Sequence, residues 1–227
     1  MLSVIIPTLL RPNSLFKIVD KLIKTTIVGE IIIINNSLEP MQFNSKKVII
    51  HTPNTNLYVN LSWNLGVSMA KHDVICICND DINFDVNKLF YLHGFIVCKG
   101  GLLGPSSKCF SKNNNKLKIY STFERNYGYG TLMLMKKCDF NNIPENLKIW
   151  CGDDYLFHSQ EKKNHSFTGL FIETDMETTS SLIKFNNIKK DDLENYPYRN
   201  YSPYLNKFKF QYFFYKIHLI KKFIFNV

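Results

Sequence analysis

A continuous run of four isoleucines, residues 31–34, constrains the fold more than any other feature of the sequence. A strand with no polar alternation is typical of a parallel sheet that helices cover on both faces. Residues 3–7 form a second apolar run, and the apolar positions of residues 15–23 recur at helical spacing. The first 37 residues therefore predict a strand, a helix and a second, parallel strand.

The same alternation continues to residue 81. Residues 48–50 and 74–78 have the pattern of strands, and residues 61–69 lie between them with a helical pattern. This order predicts an α/β fold with a mostly parallel sheet flanked by helices, in which ligands bind beyond the carboxyl ends of the strands. Three polar clusters follow predicted strands, at residues 8–14, 35–37 and 79–81.

The second half of the chain is less regular. Residues 131–135 predict another strand, and a helix is predicted to begin near Gly152. From about residue 186 the composition changes, and farther on aromatic residues are interleaved with lysines. We therefore expect one domain over residues 1–185 and a helical tail over residues 186–227, packed on that domain.

The composition is that of a globular protein. With 45% hydrophobic and 21% charged residues, the 227-residue chain can fill a sizeable core, which excludes intrinsic disorder. Its 28 Lys and Arg against 19 Asp and Glu give a formal net charge of +9.

Six sparse cysteines form neither a disulfide framework nor a zinc motif. No apolar run has the length of a signal peptide or a membrane span, so we expect a cytoplasmic protein.

Asp80 and Asp81 directly follow a predicted buried strand. Two adjacent carboxylates in such a place need a cation or hydrogen bonds to offset the loss of water. Mg²⁺ and Mn²⁺ prefer these hard oxygen ligands and complete their shell with phosphate and water. Aspartate is also a common turn residue, and for the pair alone a solvated turn is the favoured interpretation.

Six short motifs occur in a fixed order between residues 3 and 154. They are Ser3-Val4-Ile5-Ile6-Pro7-Thr8, Glu30-Ile31-Ile32-Ile33-Ile34-Asn35-Asn36-Ser37, Asn64-Leu65-Gly66, Cys78-Asn79-Asp80-Asp81, Gly128-Tyr129-Gly130-Thr131-Leu132-Met133-Leu134 and Trp150-Cys151-Gly152-Asp153-Asp154. Together they resemble the family-2-like glycosyltransferases of the GT-A fold. The last motif is similar to that family's acidic W-G-G-E-D or E-D motif. The resemblance implies a Rossmann-like GT-A domain.

The resemblance also implies how a nucleotide sugar is bound. The residues implied to contact it are Thr8, Arg11, Asn36, Ser37, Asn64, Asp80 and Gly130. Asp81, at the family's D-x-D position, is implied to hold Mn²⁺ or Mg²⁺. Family members often have a His after the last core strand, and this chain has none there. Asp175 or Glu177 would then substitute for it, or Asp81 and the phosphates would hold the ion alone.

Asp154 and Asp153 are the catalytic residues that the resemblance implies. An inverting transfer needs one base opposite the leaving group, and Asp154 is the candidate that takes the proton of the acceptor hydroxyl. Asp153 and Trp150 are implied to shape the acceptor side. Taken alone, the two aspartates fit equally well a charge pair in the first turn of a helix.

These features predict a metal-assisted glycosyltransferase. It would move a hexose or deoxyhexose from a nucleoside-diphosphate sugar, with a UDP-sugar favoured, to a hydroxyl of a glycan or glycolipid with inversion. One alternative is a sugar nucleotidyltransferase, although residues 9–13 lack the glycines of that class. Another is a non-catalytic carbohydrate- or nucleotide-binding module, although acids occur at both sites.

Residues 207–225 combine lysines with Phe and Tyr and allow three interpretations. The helix can lie in a membrane interface, where aromatic rings and lysines suit the headgroup region, and the protein would then be a peripheral membrane protein. It can instead pack on the domain, which is the favoured interpretation because the helix is aromatic almost all round. Nucleic acid is not expected as a partner, because no motif that reads it accompanies the positive charge.

Overall fold

The structure is a computed structural model that describes residues 1–9, 12–37, 39–112, 116–174 and 185–225. Within these residues the strands form one large and one small sheet. The strands are β1 (Leu2–Thr8), β2 (Val28–Asn35), β3 (Val48–His51), β4 (Val74–Cys78), β5 (Ile82–Phe84), β6 (Leu103–Pro105), β7 (Lys118–Ser121), β8 (Leu132–Lys136), β9 (His165–Thr168) and β10 (Ile172–Thr174).

The α-helices of the described residues flank the large sheet or follow it in the chain. They are α1 (Pro12–Lys24), α2 (Asn60–Met69), α3 (Leu89–Lys99), α4 (Gly152–His158), α5 (Asn186–Asn195), α6 (Pro203–Lys207) and α7 (Lys209–Phe225). None of these helices is long and apolar enough to cross a membrane.

The large sheet has the strand order β3-β2-β1-β4-β8-β6-β9-β7. Its first four strands are parallel, and so are β6 and β9. The strand β8 runs antiparallel to both of its neighbours, and β7 runs antiparallel to β9. β5 and β10 form the small antiparallel sheet. The predicted α/β class, with a mostly parallel sheet flanked by helices and a C-terminal helix, is confirmed.

The isoleucine run of β2 is buried on both faces of the sheet. Ile31 and Ile33 belong to a core that includes the apolar side of α1, whereas Ile32 and Ile34 belong to a second core that includes Trp63 of α2. Successive side chains of a strand point to opposite faces, so an unbroken apolar strand supplies both cores. This explains why the pattern of residues 31–34 predicts the layers of the fold.

The polar clusters that follow β1, β2 and β4 meet at one edge of the sheet. The backbone N–H of Asn36, after β2, donates to the carbonyl of Thr8 at the end of β1, at 2.8 Å. The backbone N–H of Asn79, after β4, donates to the carbonyl of Thr131 at 3.0 Å. Parallel strands bring their carboxyl ends to the same side, and this side therefore carries the polar residues.

Asp192 of α5 ties the C-terminal segment to the loop before α4. Its side chain is fully buried. Its carboxylate accepts hydrogen bonds from the backbone N–H groups of Lys148, Ile149 and Trp150, at 2.8, 2.9 and 2.9 Å. A buried carboxylate is tolerated when several donors replace its water, and this one therefore fixes the conformation of residues 148–150.

The helices α6 and α7 pack on the domain through aromatic rings. Tyr204 of α6 is fully buried, and its hydroxyl donates to the carbonyl of Thr122 at 2.9 Å and accepts from the backbone N–H of Asn164 at 3.0 Å. The ring of Phe123 lies 5.9 Å from that of Tyr204 and 5.5 Å from that of Tyr215 in α7. One side of α7 therefore contacts the domain.

The helix α2 lies so close to β1 that only glycine fits at residue 66. A Cβ atom there would be 2.3 Å from Cγ2 of Ile5. We expect Gly66→Ala to lower the free energy of unfolding by about 1–3 kcal/mol, because helix and strand must separate. Urea denaturation measures this change. The control is Gly94→Ala in α3, where a Cβ atom has nothing within 4 Å. It should raise stability by up to about 1 kcal/mol, and an equal loss in both variants would contradict the close contact.

Removing the Asp192 carboxylate should destabilise the whole fold. Asp192→Ala leaves three backbone N–H groups of residues 148–150 without their acceptor. We expect a loss of about 3 kcal/mol in the free energy of unfolding, and a smaller loss for Asp192→Asn, which keeps one acceptor oxygen. The matched control is the exposed neighbour Asp191, and Asp191→Ala should leave the urea midpoint nearly unchanged. A midpoint for Asp192→Ala equal to that of the control would show that α5 does not anchor this loop.

Candidate functional site

A cavity of about 360 Å³ opens at the carboxyl edge of the large sheet. Its wall comes from the ends of β1, β2 and β4, from the loop before α2, and from the segments before β8 and α4. Seven of the predicted site residues lie in this wall: Thr8, Asn36, Asp80, Asp81, Gly130, Trp150 and Asp153. Residues far apart in the sequence therefore share one cavity, as expected for this kind of sheet.

Asp80 and Asp81 lie in the cavity wall after β4, each half-buried. The hydroxyl of Thr8 donates to Oδ2 of Asp80 at 2.6 Å, which links the end of β1 to the acidic turn. The hydroxyl of Thr174, at the end of β10, donates to Oδ2 of Asp81 at 3.4 Å. The two carboxylates are thus positioned by neighbouring strands and border the cavity.

These oxygens are suitable ligands for a divalent ion. Mg²⁺ and Mn²⁺ usually take one or two carboxylates from the protein and complete their shell with phosphate and water. The pair Asp80 and Asp81 supplies that donor set beside a cavity. The residues that the structure describes contain no group of three or more acidic, His or Cys side chains able to hold a metal. Asp175 and Glu177, the predicted substitutes for the missing His, lie outside the described residues.

Asn36 lines the cavity, but its amide groups hold the loop before α2. Its Oδ1 accepts from the backbone N–H of Leu57 at 2.9 Å, and its Nδ2 donates to the hydroxyl of Ser62 at 2.9 Å. The neighbouring Tyr58 also lines the cavity and has a φ of 57°, a left-handed conformation that is rare for a residue with a side chain. Asn36 therefore shapes the wall by fixing residues 57–62.

Ser37 and Asn64, two of the predicted site residues, lie outside the cavity wall. Ser37 is outside the cavity wall, and its hydroxyl donates to Asn35 at 2.6 Å. Asn64 is also outside the wall, because its amide is paired with the backbone N–H and carbonyl of Ile143 at 2.9 and 2.8 Å. Both side chains are engaged in hydrogen bonds within the protein, and their role in nucleotide binding stays a prediction. Arg11 lies outside the described residues.

Asp153 and Asp154 lie in the first turn of α4 and share one cation. Arg125 Nη1 is 3.0 Å from Oδ2 of Asp153, and its Nε also pairs with Asp154. The side chains of the three residues are 30%, 20% and 27% exposed for Arg125, Asp153 and Asp154. Asp153 is in the cavity wall, whereas Asp154 is not. The acid that faces the cavity is therefore the first of the pair.

The environment of Asp153 favours the protonated form more than water does. Burial raises the pKa of the Asp153 carboxyl, and the positive charge of Arg125 opposes this rise. Burial, followed by the charge of Asp154, also raises the pKa of the Tyr196 hydroxyl, which stays protonated at neutral pH. A carboxylate with a raised pKa is a stronger base when it is ionised. Asp153 thus has the position and the basicity of a proton acceptor.

Backbone geometry lets α4 approach the cavity closely. Cys151, just before the helix, has a φ of 62°, where the family motif resembled by this segment has glycine. A Cβ atom on Gly130 would be 3.0 Å from Oδ2 of Asp153, so glycine leaves room for the carboxylate. Trp150 is held by Asn60, whose Nδ2 donates to its carbonyl at 3.0 Å. These contacts place the ring of Trp150 and the carboxylate of Asp153 in the same wall.

Sequence reasoning missed several residues that build this site. Arg125 lies in an irregular loop and belongs to no motif. Asp192 and Tyr196 belong to the predicted tail, about 40 residues after Asp153 and Asp154. Asp192 holds the backbone that leads into α4, and Tyr196 lies near Asp154. Of these three residues, only Arg125 has a counterpart in the sequence pattern, because two adjacent acids that lose part of their water require a nearby cation. Which of the chain's cations fills that role depends on the fold.

No protein-family model matches the sequence, and no curated protein matches it. Solved structures do match. TarS of S. aureus, residues 1–349, superposes with a TM-score of 0.58 and 13% identity over 73% of this chain and 57% of that chain. GalNAc-T7, solved with UDP, GalNAc and Mn²⁺, superposes with a TM-score of 0.58 and 13% identity over 77% of this chain and 43% of that chain.

The complex of S. aureus TarS 1–349 with UDP-GlcNAc matches with a TM-score of 0.51 and 12% identity, over 73% of this chain and 55% of that chain. The chain thus spans about half the length of the solved chains that it matches. At such low identity the likeness shows the fold and not the activity. This chain has the fold of GT-A-type glycosyltransferases.

Proposed function

We propose that the chain is a metal-assisted glycosyltransferase. It would transfer a hexose or deoxyhexose from a nucleoside-diphosphate sugar to a hydroxyl of a glycan or glycolipid. The observation that carries the proposal is the meeting of two acidic sites in one cavity: Asp80 and Asp81 follow β4, and Asp153 begins α4 about 70 residues later. Two separate acidic sites in the wall of one cavity suit a reaction that needs both a bound cation and a base.

The structural neighbours support a UDP-sugar as the donor. TarS 1–349 has been solved with UDP-GlcNAc, and GalNAc-T7 with UDP, GalNAc and Mn²⁺. This chain shares their fold, and its cavity lies at the edge of the sheet where such folds bind nucleotides. We therefore infer a UDP-sugar and a divalent ion, Mn²⁺ or Mg²⁺, as its ligands.

The donor end of the proposed site is formed by Thr8, Asp80 and Asp81. Asp81 would bind the ion, and Asp80, oriented by the hydroxyl of Thr8, would contact the ribose or the sugar. When bound, the ion offsets the negative charge that develops on the departing diphosphate. Gly130 is in the cavity wall and presents no side chain there, so its backbone would contact the sugar beside Asp153.

The acceptor end is formed by Trp150, Asp153 and the helix start that carries them. An acceptor hydroxyl would lie against the Trp150 ring and give its proton to an aspartate. The sequence pattern favours Asp154 for this role, but Asp153 is the one in the cavity wall. We therefore propose that Asp153 is the base and that Asp154 anchors Arg125. A single base with direct displacement of the diphosphate gives inversion at the anomeric carbon.

Metal-dependent nucleotide binding should require Asp81. We expect UDP with Mn²⁺ to raise the melting temperature by about 5–10 °C at a UDP concentration of about 100 times Kd. Asp81→Asn should abolish this rise, because it removes a carboxylate ligand. The matched control is Asp73→Asn at the other end of β4, where the carboxylate is exposed. A shift in Asp81→Asn equal to that of wild type would exclude Asp81 as a metal ligand, and no shift with any nucleoside diphosphate would contradict the donor assignment.

Substitution of Asp153 and of Asp154 should have different effects on activity, because only Asp153 is proposed to be the base. Asp153→Asn should lower the rate of UDP release in the presence of glycoside acceptors by a factor of about 10²–10⁴, since the base is lost. The thermal shift with UDP and Mn²⁺ should persist in this variant. Asp154→Asn should have a smaller effect, because it weakens only one contact of Arg125. A larger loss of UDP release in Asp154→Asn than in Asp153→Asn would show that Asp154 is the base. Binding of UDP without release by wild type would favour a binding module.

A further inference from the structure

The helix α7 presents apolar side chains on two opposite sides. Its inner side, with Tyr212 and Tyr215, contacts the ring of Phe123. Its outer side exposes four large apolar side chains at helical spacing. They are Phe210, Phe213, Phe214 and Ile220, which are 71%, 59%, 66% and 56% exposed. At 100° per residue these four positions lie on the side of the helix opposite the docked tyrosines.

Lysines flank this outer face at both ends of the helix. The sequence from residue 207 to residue 227 has five lysines and no acidic residue. Lys216 of α7 pairs with Glu124, and Lys207, at the end of α6, pairs with Glu161. Lys209 and Lys221 are exposed, and Nζ of Lys209 lies 5.6 Å from the ring centre of Phe210. Along the helix, Lys209 precedes the four apolar residues and Lys221 follows them, so the outer face is apolar along its length and positive at its two ends.

We propose that the outer face of α7 binds an anionic phospholipid surface. The helix would lie parallel to the surface, with the phenylalanines among the acyl chains near the headgroups and with Lys209 and Lys221 at the phosphates. Four large exposed apolar side chains on one side of a helix form a larger apolar patch than a protein surface that stays in water usually carries, so the face is suited to a partner.

The charge distribution favours lipid over other partners. A second copy of the chain on this face would bring two sets of lysines together, which is unfavourable. A nucleic acid would need a row of lysines along the face to reach successive phosphates, and here four apolar side chains occupy the face between Lys209 and Lys221. An anionic membrane satisfies the apolar face and its positive ends at the same time.

Co-sedimentation of the full chain with vesicles tests the proposal. We expect binding to phosphatidylcholine vesicles that contain about 30% phosphatidylserine, with much weaker binding to pure phosphatidylcholine. Binding should decrease at about 0.5 M salt, because salt screens the lysines. The triple variant Phe210→Ser, Phe213→Ser and Phe214→Ser should bind at least about tenfold more weakly. These side chains are exposed, so its melting temperature should equal that of wild type.

The matched control removes exposed aromatic residues elsewhere. Phe90 and Tyr91 of α3 are 61% and 63% exposed, and the variant Phe90→Ser, Tyr91→Ser should bind vesicles as wild type does. Three results would overturn the proposal: no binding by wild type, equal binding by the triple variant, or a wild-type dimer without vesicle binding that the triple variant dissociates. Binding to single-stranded RNA but not to vesicles would overturn it as well. None of these measurements uses a nucleotide sugar, so their outcome is independent of the proposed transferase activity.

Discussion

The guanidinium of Arg125 holds the two acids in the first turn of α4 beside the cavity. Arg125 contacts both carboxylates of the first turn of α4, and all three side chains are at most 30% exposed. Two adjacent carboxylates removed from water repel each other, and the dipole of a short helix offsets only part of that cost. Because the guanidinium contacts both acids, it also fixes the rotation of α4. Asp153 consequently faces the cavity, and Asp154 lies beside Arg125 and Tyr196.

The C-terminal segment supports the same helix from the other side. Asp192 holds the backbone of residues 148–150, which leads directly into α4. Tyr204 fills the core next to Phe157 of α4, with ring centres 5.3 Å apart. Residues after 185 therefore support the part of the cavity wall that contains Trp150 and Asp153. A boundary drawn at residue 185 from composition separates two parts of the chain that share a core.

The sequence predicts the first half of the fold well and the second half poorly. The patterns at residues 31–34 and 74–78 identify β2 and β4 because long buried strands carry a strong apolar signal. The short β6 and β10 have three residues each, too few for any periodicity. At the site, adjacent polar residues after a strand point to Asp80 and Asp81. The hydrogen bonds of Asn64 to Ile143 could not be predicted, because an asparagine that pairs with a backbone segment and one that binds a ligand look the same in a sequence.

Two residues with side chains, one in the cavity wall and one next to it, have left-handed backbone conformations. Tyr58 and Cys151 have φ values of 57° and 62°, and each costs about 1 kcal/mol relative to glycine at the same position. Selection for thermal stability alone would favour glycine at both positions. Glycine would also remove an aromatic wall and loosen the turn into α4, so the protein retains local strain where it needs a rigid surface. An engineering programme aimed at heat resistance should therefore leave these two positions unchanged and improve helices far from the cavity.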